Sequence, residues 1–268
     1  MKLHFEAVGK IEALQLKVNR KLALRRGLPR LGATPPLFPS LAVVGGGPSA
    51  AEHLDEIRRF QGDIWAINGA WWWLKERGIA STFFTIDADP ATADWIRGRG
   101  VSSAVVSSLC DHALFEALGG AEIEVWDLML QVLSCGPTSA SNSTVGALLG
   151  GYKKAVYYGC ESSYTEAPTH AYGDKKLISL VQIEVNGERF VTSPDMLMQA
   201  EYLSGMIREL PETFSEKSGG LLRAFIGQPD YEVVAVSEDM VPNLGKGLVP
   251  GLEDAEPKAR EEHKMVVL

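Results

Sequence analysis

Between Leu41 and Cys160 the chain alternates short apolar runs with helix-compatible segments, and no other feature restricts its fold as much. The runs are "LAVVG", "DIWAING", "STFFTID", "SAVVSS", "AEIEVWD" and "KAVYYGC". Strands that are apolar at consecutive positions are buried on both faces, which is the condition of a parallel sheet covered by helices. Most runs lead into helical sequence, such as Ala51 to Phe60 and Ala70 to Arg77. The pattern predicts an α/β fold with a doubly wound, mainly parallel Rossmann-like sheet and helices on both faces. A chain of 268 residues with 46% hydrophobic residues can bury one main core of this kind.

The flanks read differently. Residues 3 to 26 carry a basic helical period that ends at Gly27 and Pro29, and "GATPPLFPS" follows as a stiff connector. Residues 1–39 are therefore expected to form a helical N-terminal arm, whose helix is a candidate contact for a homo-oligomer. Residues 40–242 are expected to form the Rossmann-like domain. Within it, "LISLVQIEVNGERFVTS" alternates around Asn186-Gly187, which predicts a β-hairpin inserted at about 171–195 in the position of a lid. "YEVVAVS" offers a late strand, and 243–268 reads as a charged, loosely held tail.

The formal charge of −8 argues against a general nucleic-acid binder, which carries a basic face. Cys110, Cys135 and Cys160 are widely spaced and odd in number, so they predict buried thiols in a reducing compartment, not a disulfide framework. There is no apolar stretch of membrane-spanning length and no secretory h-region at the N-terminus, so the expectation is the cytoplasm of a bacterial cell or phage-infected host.

Candidate site residues gather where strands end. "GGGPS" lies between the first strand and a helix, so Gly46, Gly47 and Ser49 are placed to meet a phosphate; Ser49 as a simple N-cap is the alternative. The second strand ends in Asn68-Gly69, where an amide can pair with a base or ribose, or else form a plain turn. Trp71, Trp72 and Trp73 cannot share one helix face, and one of them is a candidate for the pocket border. Asp87 and Asp89 in "TIDADP" can hold Mg, or else cap turns. "CGPTSASNSTVGALLGGY" supplies Ser139, Ser141, Asn142, Ser143 and Thr144 as a second phosphate or ribose site. "GCESSYTEAPTHAYG", which also contains Glu166, supplies Glu161 and His170 for acid-base chemistry, and Ser162, Ser163, Tyr164 and Tyr172 for substrate.

Taken in order, G-G-G-P-S, I-N-G, D-x-D-P, N-S-T-V-G, G-Y-K-K-A-V-Y-Y-G-C-E-S-S-Y and T-H-A-Y resemble the 6-hydroxymethylpterin diphosphokinase-like family, which includes the flagellin motility accessory factors and phage-encoded members. "RGLPR" and "QAEYL" resemble the phage-type members. The order is also similar to that of the bacterial lipooligosaccharide sialyltransferases. That second resemblance implies a nucleotide at Gly46, Asn68 and either Thr138-Ser139-Ala140 or Asn142 to Gly146. Two departures stand out. The family's G-x-D is Gly159-Cys160-Glu161 here, and the sialyltransferase base position holds Thr192-Ser193-Pro194, which leaves His170 as the candidate base. The resemblance implies a transferase using a nucleotide sugar, with Glu161 or His170 orienting or deprotonating the acceptor. An ATP- and Mg-dependent diphosphokinase acting on a small hydroxymethyl substrate is the alternative, and a nucleotide sensor or sponge without turnover is the third reading.

Overall fold

The computed structural model describes residues 4–7, 11–127, 136–164, 170–171, 180–236 and 264–267. In chain order the first elements are β1 (His4–Ala7), α1 (Ala13–Arg25), β2 (Ser40–Val44), α2 (Ser49–Glu52), α3 (Leu54–Arg58), β3 (Asp63–Ile67), α4 (Gly69–Lys75) and β4 (Thr82–Thr85). A 3-10 turn (Pro90–Trp95) leads to β5 (Ser103–Ser107), α5 (His112–Ala117), β6 (Glu122–Trp126), α6 (Ser139–Leu149) and β7 (Lys154–Tyr158). The last part contains β8 (Val181–Val185), β9 (Glu188–Thr192), α7 (Pro194–Glu209), β10 (Phe214–Glu216), α8 (Gly220–Gly227), β11 (Glu232–Val236) and β12 (Lys264–Val267).

The main sheet has seven strands in the order β10-β7-β2-β3-β4-β5-β6, and every pair is parallel. Alternate residues feed two cores, because side chains in a strand point to opposite faces. Ala42, Val44, Ala66, Phe83, Ala104 and Val106 pack with Ile57, Trp71, Trp73, Leu74, Leu114 and Phe115 on one face. Leu41, Val43, Trp65, Phe84, Val105 and Tyr157 pack with Val145, Ala147, Leu203 and Ile207 on the other. This is the expected doubly wound fold.

The order of the strands matters for function. From β2 to β6 the chain steps one way across the sheet. It then crosses back along the opposite face through α6 and returns as β7 on the far side of β2. Right-handed crossovers require that change of face when direction reverses, and the reversal opens a crevice beyond the carboxyl ends of β2 and β7.

Several elements depart from expectation. The helical period read over residues 3 to 26 yields a helix only from Ala13, and His4–Ala7 pairs in parallel with Lys264–Val267 from the charged tail. The arm is fastened to the sheet: Val125 donates to the Pro29 carbonyl at 2.8 Å and Leu31 donates to the Val125 carbonyl at 3.0 Å, so residues 29–31 cover the outer edge of β6. Strand β10 and helix α8 have no counterpart in the sequence reading. Asn186 (φ 52°) and Gly187 (φ 79°) form the hairpin turn, as a two-residue loop requires. That hairpin is not isolated. Strand β11 joins it antiparallel, and Val181, Ile183, Val185 and Phe190 share a core with Leu197, Leu221, Phe225 and Tyr231. Among the described residues no helix is long and apolar enough to cross a membrane.

Candidate functional site

A cavity of about 250 Å³ lies at the β2/β7 crevice. Its walls are the ends of separate chain crossings: Gly45 to Gly47 after β2, Asn68 after β3, Asp87 after β4, and Thr138 to Ala140 opening α6. The loop Gly159 to Tyr164 after β7, His170, and Met196 and Gln199 from α7 complete it. Of the residues expected from sequence, Gly46, Gly47, Asn68, Asp87, Ser139, Glu161, Ser162, Ser163, Tyr164 and His170 all line this one cavity. Tyr172 and Glu166 lie outside the described residues, as does Cys135.

The glycine turn holds a carboxyl group of the protein itself. Gly45 and Gly47 donate to the carbonyls of Tyr158 and Gly159, each at 2.8 Å, and Pro48 has no N–H. The Ser49 N–H donates to Glu161 Oε1 at 2.5 Å. A Cβ on Gly47 would lie 1.6 Å from Glu161 Oε2, so the missing side chain makes the space that the carboxyl fills. The donors expected to converge on a phosphate are thus mostly engaged within the fold. Ser49 is the first residue of α2 and not its N-cap, a position taken by Pro48. Burial pushes the Glu161 pKa up, the Glu52 charge adds to this, and the hydrogen bonds from Ser49 offset only part of it.

The opening of α6 is different. Thr138 is the N-cap: its Oγ1 accepts from the Ser141 N–H at 3.1 Å, and Ser141 Oγ accepts from the Thr138 N–H at 3.3 Å. Ser139 Oγ accepts from the Ile86 N–H at 3.1 Å, which ties the helix to the end of β4. The N–H groups of Ser139 and Ala140 begin the helix and meet no acceptor among the described residues. Both residues line the cavity, where unpaired donors of a first turn and the helix dipole favour an anion.

Among the described residues three non-glycine residues have positive φ, and two of them, Asn68 (50°) and Ser162 (59°), line the cavity. Strained backbone persists where the surroundings fix it and often marks function. Asn68 Oδ1 is buried and meets no donor among the described residues. Ser162 is held on three sides: its Oγ donates to the Cys160 carbonyl, its carbonyl accepts from Thr192 Oγ1 at 2.7 Å, and its Oγ accepts from Gln199 Nε2 at 2.9 Å. Tyr164 is tied to the hairpin through its N–H on the Val191 carbonyl at 2.7 Å, and burial raises its phenol pKa.

Other expected residues lie elsewhere. Asn142, Ser143 and Thr144 face into the fold: Asn142 Nδ2 donates to the Gly136 and Thr138 carbonyls, Ser143 Oγ to the Ala140 carbonyl, and Thr144 Oγ1 to the Ser141 carbonyl. Hydroxyls one turn into a helix bond back to carbonyls three or four residues earlier. Gly69 is buried at the start of α4, away from the cavity lining. Asp87 lines the cavity, but Asp89 turns away to cap the 3-10 turn through the Ala91 N–H, while Asp87 Oδ1 accepts from the Asp89 N–H. Among the described residues no three His, Cys, Asp or Glu side chains form a metal-holding group. None of Trp71, Trp72 and Trp73 lines the cavity; each is covered by a cation, from Lys75, Arg99 and Arg77 respectively, and Trp95 reaches the cavity instead. Cys110 and Cys160 are buried thiols with pKa values pushed up by burial, as expected for unreactive cysteines.

Met196 and Gln199 are site residues that the sequence reading missed, whereas Thr138 belongs to one of the two stretches expected for a phosphate and lines the cavity with Ser139 and Ala140. Gln199 had a visible sign: it is an amide on the buried stripe of α7 that includes Leu197, Ala200 and Leu203.

No family model and no curated protein matches the chain. Among solved structures its fold is similar to that of a MAf glycosyltransferase from Magnetospirillum magneticum AMB-1, with a TM-score of 0.59 and 18% identity. The similarity covers 80% of this chain and 38% of that one, so the chain spans well under half the length of the protein it resembles. The likeness establishes an α/β architecture of the kind that protein has.

Proposed function

We propose that the protein is a nucleotide-dependent transferase, a glycosyltransferase that uses a nucleotide-activated sugar. The observation that carries this reading is the cavity at the strand-order reversal, lined together by the strained Asn68 and by Ser139 and Ala140, whose N–H groups meet no acceptor among the described residues. The fold likeness to a glycosyltransferase supports it. In this reading the first turn of α6 receives the phosphate, where its fixed dipoles stabilise the charge that develops on the leaving group. Asn68 and Asp87 meet the ribose or base. The acceptor hydroxyl attacks the anomeric carbon, the bond from that carbon to the phosphate oxygen breaks, and His170 on the cavity wall takes the hydroxyl proton. Glu161 acts from inside the glycine turn by fixing the wall. The diphosphokinase alternative asks for a metal between Asp87 and Asp89, and the turn of Asp89 toward Ala91 gives it no support.

Calorimetry with nucleoside diphosphate sugars, cytidine monophosphate sugars and ATP, each with and without Mg, tests the reading. Metal-free binding of a sugar nucleotide is the expected result, with turnover lost in His170→Ala while affinity is kept. Metal-dependent binding of ATP alone would replace the glycosyltransferase with a kinase. Tight binding without product would leave a sensor or sponge.

A further inference from the structure

We infer that Gln199 is the positioning residue of this site: its side-chain amide is a clamp that sets the spacing between the α6 N-cap and the Ser162 turn, the two walls that face a bound nucleotide. The inference rests on the reading of the cavity as a nucleotide site.

Gln199 is 4% exposed and comes from α7, far along the chain from either wall. Thr138 Oγ1 donates to Gln199 Oε1 at 2.7 Å, and Gln199 Nε2 donates to Ser162 Oγ at 2.9 Å. The orientation of the amide follows from its neighbours. Thr138 Oγ1 already accepts from the Ser141 N–H, so its proton is available for an acceptor. Ser162 Oγ gives its proton to the Cys160 carbonyl and so needs a donor. An amide supplies an acceptor on one atom and a donor on the other at this length in every protonation state of its surroundings. A carboxylate of the same length would satisfy Thr138 and leave Ser162 facing a second acceptor. Methionine would fill the space and satisfy neither.

Each end of the clamp touches something that matters locally. Thr138 sets the cap geometry of α6 at the point where Ser139 and Ala140 line the cavity. Ser162 has a φ of 59°, a left-handed conformation that costs a serine energy and that its three hydrogen bonds hold in place. The same Ser162 carbonyl accepts from Thr192 of β9, so the clamp also links the hairpin subdomain to the main sheet. Losing two buried hydrogen bonds without creating a cavity should therefore displace both walls while leaving the cores intact.

The test uses Gln199→Met, Gln199→Glu and wild-type protein. Hydrogen exchange read by mass spectrometry without ligand should show the first turn of α6 and the segment Ser162 to Tyr164 exchanging faster together in Gln199→Met, with the central strands unchanged. Calorimetry with cytidine 5′-monophosphate, uridine 5′-diphosphate and ATP should show affinity for whichever binds wild type falling about tenfold or more in Gln199→Met, with partial recovery in Gln199→Glu, which keeps the Thr138 bond. Wild-type affinity in Gln199→Met, or exchange that changes at one wall only, would overturn the clamp. If wild type binds none of the three probes, the nucleotide reading fails, and the paired exchange result alone decides the clamp.

Discussion

The Ser49 N–H donates to Glu161 Oε1 at 2.5 Å, joining the turn after β2 to the loop after β7 across the reversal point of the sheet. The two turns are interlocked elsewhere as well: a Cβ on Gly45 would meet the Gly159 carbonyl at 2.4 Å, and one on Gly159 would meet the Gly45 carbonyl at 2.7 Å. The glycine run therefore serves close approach between two main chains and makes room for a carboxyl. That is a different use from the phosphate cradle suggested by its position before a helix.

Gly47→Ala tests this contact directly. The new methyl group would take the space of Glu161 Oε2, 1.6 Å away, so the carboxyl must leave the turn and the Ser49 N–H loses its acceptor. The expected cost is about 1–3 kcal/mol in urea unfolding. In a Glu161→Ala background the same substitution should cost much less, because the methyl group enters vacated space. Equal costs in the two backgrounds would mean that the carboxyl and Gly47 do not share this volume.

Glu161 also predicts a pH dependence of a definite sign. Desolvation is the largest influence on it and raises its pKa, so the folded protein retains a proton that the unfolded chain has released. Its contribution is fully present below the ordinary glutamate range and is lost as pH rises through the raised value. Glu161→Gln keeps the shape and removes the titration. Its stability relative to wild type should therefore climb as pH rises above the ordinary glutamate range, about pH 4, and level off once pH has passed the raised value. Thermal melts across this rise in pH check it, and a constant difference between the two proteins would contradict it.

The sheet was legible because its strands are apolar on both faces, which leaves an unbroken run such as Leu41 to Val44 in the sequence. Strand β10 has three residues at a sheet edge, too few to show a period. The site was legible at the carboxyl ends of strands, where polar residues interrupt apolar runs, and so Asn68, Asp87 and Glu161 to Tyr164 were found. It was less legible along α6. Residues 139–144 look alike as a string of small, mostly polar residues, but only Ser139 and Ala140 line the cavity, and Asn142, Ser143 and Thr144 bond back to their own helix. The role of Glu161 was hidden because its partner, Ser49, lies 112 positions away.

The arm yields a third prediction. Arg20 Nε and Nη2 donate to Asp127 Oδ1 and Oδ2 at 2.8 and 2.7 Å, and Ser108 Oγ donates to the same carboxylate at 2.9 Å. Asp127 is buried at the end of β6, and the Arg20 guanidinium holds its pKa below the usual range. In Arg20→Ala the pKa should move back up, and α1 should lose part of its attachment to the sheet. Limited chymotrypsin digestion would then cut within residues 11–28 faster than in wild type. Unchanged cleavage would show that the Asn19 amide on the Leu109 carbonyl suffices to hold the helix.

Asn68→Gly separates stability from function. Asn68 has φ 50° and ψ −123°, a conformation that glycine adopts freely and a branched residue does not. The substitution relieves about 1–3 kcal/mol of backbone strain, against which the added flexibility of the unfolded chain counts for up to about 1 kcal/mol. The melting temperature should therefore stay level or rise. Nucleotide affinity should fall at least about tenfold, since the side-chain amide of a residue that lines the cavity is removed. An asparagine retained for folding would give the opposite pair of results: lower stability with affinity intact. Because the two readings differ in sign on both axes, one melt and one titration of Asn68→Gly decide whether the strain at the end of β3 belongs to the site or to the scaffold.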